Sequence, residues 1–139
     1  MGFLVDTNVV SEWVKPNPNP GVVSWLAQAE EEQVFLSVVT LAELRYGVER
    51  MPEGRRQKRL RAWLEVELPR RFGGRILAID AVVADACGRL VATSAAAGRA
   101  LEAMDAFLAA TAEVHHLTLV TRNISHFQVI VKSLLNPWV

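Results

Sequence analysis

The chain has 139 residues, 51% of them hydrophobic, with 15 basic and 15 acidic side chains and no formal net charge. Length and hydrophobicity indicate one domain with a real core, over residues 1–139, and exclude a disordered chain. A lone cysteine, Cys87, excludes a disulfide scaffold, and the longest charge-free stretch, Pro16 to Ala29, is too short and too proline-rich to span a bilayer.

Phe3-Leu4-Val5 reads as a buried strand that ends at Asp6. Asp-Thr-Asn then suits the start of a short helix over residues 7–14. Three alternating prolines make residues 15–21 a loop. Residues 22–31 read as a helix, with Val22, Trp25, Leu26 and Ala29 on one face. Val34-Phe35-Leu36 is a second strand, and a helix follows from Ser37 to about Met51. After Pro52 and Gly54, one long helix is expected up to Phe72, with Pro69 kinking or fraying its end. Residues 76–79 form a third strand. Asp80 caps an alanine-rich helix that Gly98 ends. Residues 104–115 are helical, residues 117–120 are a fourth strand, residues 121–126 are a loop, and residues 129–131 suit a short edge strand. Alternating strands and helices predict an α/β fold, a mainly parallel sheet with helices on both faces. Asp6 interrupts the N-terminal apolar run and no small-residue cleavage site follows, so no secretory signal is read. A soluble, cytoplasmic protein with no membrane partner is the expectation.

The zero net charge conceals segregation. Between Arg45 and Arg75 lie ten basic and four acidic residues, an excess of six positive charges that the rest of the chain offsets. Such a run is either a solvated helix face or a surface for a polyanion.

In parallel sheets, ligands bind outside the carboxyl ends of the strands. The polar residues expected there are Asp6-Thr7-Asn8, Ser37, Thr40, Asp80 and Thr121-Arg122-Asn123. Glu43 and Asp105 interrupt otherwise apolar helices. Asp6, Glu43 and Asp105 are carboxylates in mainly uncharged surroundings. Such groups pair, protonate or bind a cation. No lysine or arginine stands beside Asp6 in sequence, and a hard divalent ion with oxygen ligands, Mg²⁺ or Mn²⁺, resolves the problem. Asp80 reads as a helix cap. His115, His116 and His126 lack a ligand spacing, and Cys87 reads as core. Phosphate-binding loops, dinucleotide fingerprints, zinc patterns and nucleophile elbows are missing from the sequence.

Five segments, Leu4–Glu12, Leu36–Gly47, Asp105–Ala112, Leu119–Asn123 and Leu135–Trp138, together resemble the PIN-domain ribonucleases, in particular the VapC/FitB-type toxins of bacterial toxin–antitoxin pairs. The resemblance implies an α/β/α sandwich with a central sheet of four to five strands. It implies a Mg²⁺- or Mn²⁺-dependent endoribonuclease with Asp6, Glu43 and Asp105 as its acidic cluster and metal ligands. Asn123 stands where many relatives carry a fourth acid; as a catalytic residue it would offer a carbonyl ligand or orient water, but it supplies no charge, and His126 likewise occupies a loop position where many relatives carry an acid, so one tightly held ion is expected. Thr7 and Thr121 would orient carboxylates or water through their hydroxyls. Arg45, Arg55, Arg56 and Arg59 would contact RNA or dock an antitoxin. The implied partners are an RNA substrate, a cognate antitoxin that also binds operator DNA, and a second copy of the chain. Two other functions compete. A PIN module without activity would only bind RNA or protein. A phospho-receiver domain would need an acid pair after the first strand and a lysine after a late one, whereas Asp6 is alone and Arg122 follows Thr121.

Overall fold

A computed structural model describes residues 2–139. Five short strands form one parallel sheet: β1 (Phe3–Val5), β2 (Val34–Ser37), β3 (Ile76–Leu77), β4 (Thr118–Val120) and β5 (Leu134–Leu135). Their order is β3-β2-β1-β4-β5. The central strand β1 has Leu4 opposite Phe35 on one side and Leu119 on the other.

Strand side chains alternate between faces, and both faces here are apolar. Leu4 and Leu119 join Val83, Ala86, Leu90, Leu108 and Phe127 in one core. Val5 and Val120 join Val9, Val22, Leu36, Val48, Leu68 and Phe72 in the other. The helices α1 (Thr7–Glu12), α2 (Pro20–Gln28) and α3 (Val38–Arg50) cover the second face. The helices α4 (Arg55–Ala62) and α5 (Leu68–Phe72) complete that layer. The first face is covered by α6 (Ala81–Ala96), α7 (Ala103–Val114) and the single turn α8 (Ile124–Phe127). Among the described residues no helix is long and apolar enough to cross a membrane.

Four expectations need correction. Helix α2 begins at Pro20 and ends at Gln28, so the loop is shorter than three prolines suggest. Pro20 sits in the first turn, where its missing N–H costs nothing, and Asn19 Oδ1 caps the N–H groups of Gly21 and Val22. The long basic helix is interrupted by a π turn over Trp63–Glu67, in which Leu68 N–H reaches back to the Trp63 carbonyl. Pro69 cannot donate to the carbonyl four residues earlier, and the widened turn relieves that loss. Residues 121–126 are not all loop, because α8 begins at Ile124. Residues 129–131 form no strand. Ile130 and Val131 both donate to the Phe127 carbonyl and close a turn, and the edge strand is Leu134–Leu135.

Two glycines give opposite expectations. A Cβ on Gly21 would stand 2.2 Å from the Pro137 carbonyl oxygen and 2.9 Å from Val139 Cγ1. Gly21→Ala should cost about 1–3 kcal/mol in urea unfolding. Gly47 lies inside α3 with open space around it, so Gly47→Ala should add about 0.5–1 kcal/mol.

Candidate active site

The sheet order reverses at β1. The chain goes from β1 to β2 on one side and later returns to β4 on the other. Strands running outward in both directions from this point leave a crevice at their carboxyl ends. Asp6 follows β1 there, Thr121 follows β4, and Asp6 N–H donates to the Val120 carbonyl at 2.9 Å.

Asp6 is only 6% exposed. Its Oδ1 accepts from Thr7 N–H at 2.7 Å and caps α1. Its Oδ2 accepts from the Thr121 hydroxyl at 2.7 Å and, more weakly, from the Asn8 amide at 3.4 Å. Burial pushes the Asp6 carboxyl above the ordinary aspartate range. The Thr121 and Thr7 hydrogen bonds oppose that rise, while the negative charge of Asp105 adds to it.

Glu43 arrives from α3 and Asp105 from the first turn of α7. These helices belong to opposite layers and touch at the carboxyl edge of the sheet. The Thr7 hydroxyl donates to Glu43 Oε1 at 2.6 Å. Burial also raises the Asp105 carboxyl, His126 counters it, and the charges of Glu102 and Glu43 raise it further. Asp6, Glu43 and Asp105 are therefore one electrostatic group. None of the three forms an ion pair with a lysine or arginine among the described residues.

That donor set fits a hard divalent cation. It is all oxygen, carries surplus negative charge, and includes one carboxylate held rigid by three donors. The acids do not stand closed around a point: no three His, Cys, Asp or Glu side chains do so among the described residues. The Thr7 and Thr121 hydroxyls each hold a different carboxylate.

The other sequence candidates separate clearly. Asn123 reaches the site through its backbone, whose N–H donates to Thr121 Oγ1 at 3.0 Å. No hydrogen bond of its side chain is found among the described residues. Arg45 is tied to Glu49 at 3.5 Å and Glu65 at 3.4 Å, so its charge is largely spent within the fold. Arg55, Arg56 and Arg59 are exposed on α4 and form no ion pair among the described residues. Gln57 fastens the start of α4 to the end of α3 through the Val48 and Met51 carbonyls.

Two neighbours complete the site. His126 Nδ1 lies 3.5 Å from Asp105 Oδ2, because the turn of α8 swings it back over α7. Asn8 links Asp6 to the Arg122 N–H, which donates to its Oδ1 at 3.4 Å. The Asp-x-Asn spacing after a strand is the signal for Asn8. For His126 the signal is the resemblance alone, which puts it at a loop position where many relatives carry an acid.

The family profile described as PIN domain matches residues 3–131. The chain belongs to the PIN-domain family. This PIN domain is 42% identical to a plasmid stability protein StbB of Pseudomonas syringae, over 98% of each chain. It is 39% identical to toxin FitB of Neisseria gonorrhoeae, again over 98% of both. A VapC ribonuclease of Sinorhizobium fredii is 34% identical over 98% of this chain and 97% of its own. Among solved structures, FitAcB from Neisseria gonorrhoeae superposes with a TM-score of 0.92 at 39% identity, covering 98% of both chains. FitAB bound to a DNA fragment superposes at 0.93 with 36% identity, covering 99% of this chain and 96% of that one. The α/β/α architecture and the VapC/FitB-type resemblance thus agree with sequence relatives and structural neighbours alike.

The raised Asp105 pKa has a sign that experiment reads. An acid whose pKa rises on folding destabilises the fold once ionised. For Asp105 the cost begins above the unfolded pKa of about 3.9, grows as pH passes the higher folded value, and then levels. Asp105→Asn should therefore raise the Tm in chelator at neutral pH. The gain should disappear below about pH 4, where the wild-type carboxyl is protonated as well.

Proposed function

We propose that this PIN domain is a Mg²⁺- or Mn²⁺-dependent endoribonuclease toxin, acting in the cytoplasm as a single domain and silenced by a cognate antitoxin. The observation that carries this reading is the group of uncompensated carboxylates at the sheet's switch point. The relatives named as a toxin and as a VapC ribonuclease support it.

Asp6, Glu43 and Asp105 would hold the ion. When bound, it supplies a Lewis acid for a phosphoryl oxygen and lowers the pKa of water. Thr121 and Thr7 fix the Asp6 carboxylate by hydrogen bonds to opposite oxygens, so the ligand needs little reorganisation. Asn123 fixes the Thr121 hydroxyl in turn. The Thr7 hydroxyl holds Glu43 toward the crevice. In-line attack of water on phosphorus breaks the bond to the 3′-oxygen and leaves a 3′-hydroxyl and a 5′-phosphate. Asn123 brings no charge where a fourth acid would stand, which favours one tightly held ion.

The exposed Arg55, Arg56 and Arg59 offer cations for the RNA backbone. Arg45, already paired, contributes less. A homodimer carrying antitoxin on each subunit is the assembly this reading implies.

RNA cleavage should require Mg²⁺ or Mn²⁺ and stop in chelator. Asp6→Asn and Asp105→Asn should each lower the rate by at least about 100-fold. Cleavage that persists without divalent ions, or in either variant, would overturn the proposal. Reversing Arg55, Arg56 and Arg59 to glutamate should weaken RNA binding and flatten its salt dependence while antitoxin binding persists. Lost antitoxin binding with RNA affinity intact would place the antitoxin, not RNA, on α4.

A further inference from the structure

The C-terminal Asn136-Pro-Trp-Val segment supplies no acid to the site, yet it is tightly fastened beside it. Strand β5 pairs with β4, and Thr121 N–H donates to the Leu135 carbonyl at 3.0 Å. Because all strands run parallel, the chain after β5 emerges at the same edge as Asp6 and Thr121. Trp138 N–H donates to Asn136 Oδ1 at 3.0 Å. Asn19 grips the last residue from both sides. Its Oδ1 accepts from Val139 N–H at 3.3 Å and its amide donates to the Val139 carbonyl at 3.1 Å. Pro137 is buried over Gly21, which has no side chain to push it away.

The product of this fastening is a fixed indole ring. The Arg122 guanidinium lies over the Trp138 ring, 5.6 Å from its centroid. Arg122 is exposed and forms no ion pair among the described residues. The carboxylate that feels its charge is the buried Glu12, which is otherwise engaged by Lys15 at 2.5 Å and by Asn19 N–H at 2.8 Å. Burial pushes the Glu12 carboxyl up, but Lys15, Asn19 and Arg122 together bring it below the usual range. The backbone of Arg122 is equally fixed. It follows Thr121, which bonds Asp6, and its N–H bonds Asn8, which also reaches Asp6.

A polyanion approaching Asp6, Glu43 and Asp105 meets negative charge, and the Arg122 backbone, tied to Asp6 through Asn8, anchors a cationic side chain at that same edge. Guanidinium is suited to phosphate because its fork donates two parallel hydrogen bonds. Stacking on an indole leaves those donors free at the ring's edge and lowers the entropy lost on binding.

We propose that Arg122 contacts a backbone phosphate of the RNA next to the scissile one, and that Trp138 is the residue that positions it. This rests on the ribonuclease reading above. Arg122 is then part of the substrate site, and the C-terminal segment is a brace for that one side chain.

The test measures binding of a fluorescent single-stranded RNA in chelator, together with Mg²⁺-dependent cleavage, over a range of salt. Arg122→Ala should weaken binding about five- to tenfold at low salt and raise KM more than it lowers kcat. The slope of log affinity against log salt should shrink by about 0.7, the loss of one phosphate contact on a single strand. Arg122→Lys should recover part of the affinity. Trp138→Phe should stay close to wild type and Trp138→Ala should approach Arg122→Ala, a pattern that general loosening of the fold would not produce. A folded Arg122→Ala protein with wild-type affinity, slope and KM overturns this inference alone. A wild-type protein that neither binds nor cleaves RNA overturns the ribonuclease reading itself.

Discussion

A carboxylate buried where two halves of a sheet part company sets the terms for the rest of this molecule. Asp6 is at the central strand's end, nearly out of solvent, with hydrogen-bond donors but, among the described residues, no lysine or arginine paired to it. Burial of such a group disfavours its charged form. Asp105 worsens the position of Asp6, and Glu43 worsens that of Asp105. The surrounding fold must hold these charges together against their repulsion. It does so with two apolar cores, one on each side of the sheet.

The division into two cores explains why the acids converge. Leu4 and Val5 point to opposite faces, as do Leu119 and Val120. The helices over one face deliver Glu43, and those over the other deliver Asp105. The layers meet through α3 and α7 at the sheet's edge, where Asp6 lies. The hydroxyls of Thr7 and Thr121 contribute directional bonds that a purely apolar junction would lack. Small residues help on the Asp105 side. Ala106, Ala109 and Ala110 are fully buried, so α7 approaches the sheet closely and carries its first turn to the edge.

Much of this was legible in the sequence because it rests on local rules. Apolar runs ending in Asp6 and Thr121, and Asp80 capping α6, follow from strand length and helix chemistry. Features that depend on contacts between distant residues were not legible. Residues 129–131 have strand composition, but the Phe127 carbonyl captures two of their N–H groups and only Leu134–Leu135 remains extended beside β4. The π turn answers a proline six residues beyond its first residue, and no hydrophobic period records it. His126 looked scattered because its meaning depends on where α8 folds over α7. Asn123 illustrates the converse: its position in the sequence suggested a side-chain role, while the structure engages its backbone.

The zero net charge can now be read in terms of which cations remain unspent. Arg45 and Arg61 bind Glu49, and Arg45 also reaches Glu65, so these pairs lace α3 to the basic helix. Arg71 pairs with Glu31 and stacks on Trp13, while Arg75 donates to the Glu31, Val34 and Arg71 carbonyls. Such residues stabilise the fold and offer little to a partner. Arg55, Arg56 and Arg59 on α4 form no ion pair among the described residues, and neither does Arg122 at the sheet's edge, although it lies over Trp138 and its charge reaches Glu12. A flexible polyanion is drawn toward the exposed arginines of α4, whereas a guanidinium fixed on an indole acts at one point. Under the proposed reading, long-range attraction and local register fall to different elements, and neither is visible in the sum of the charges.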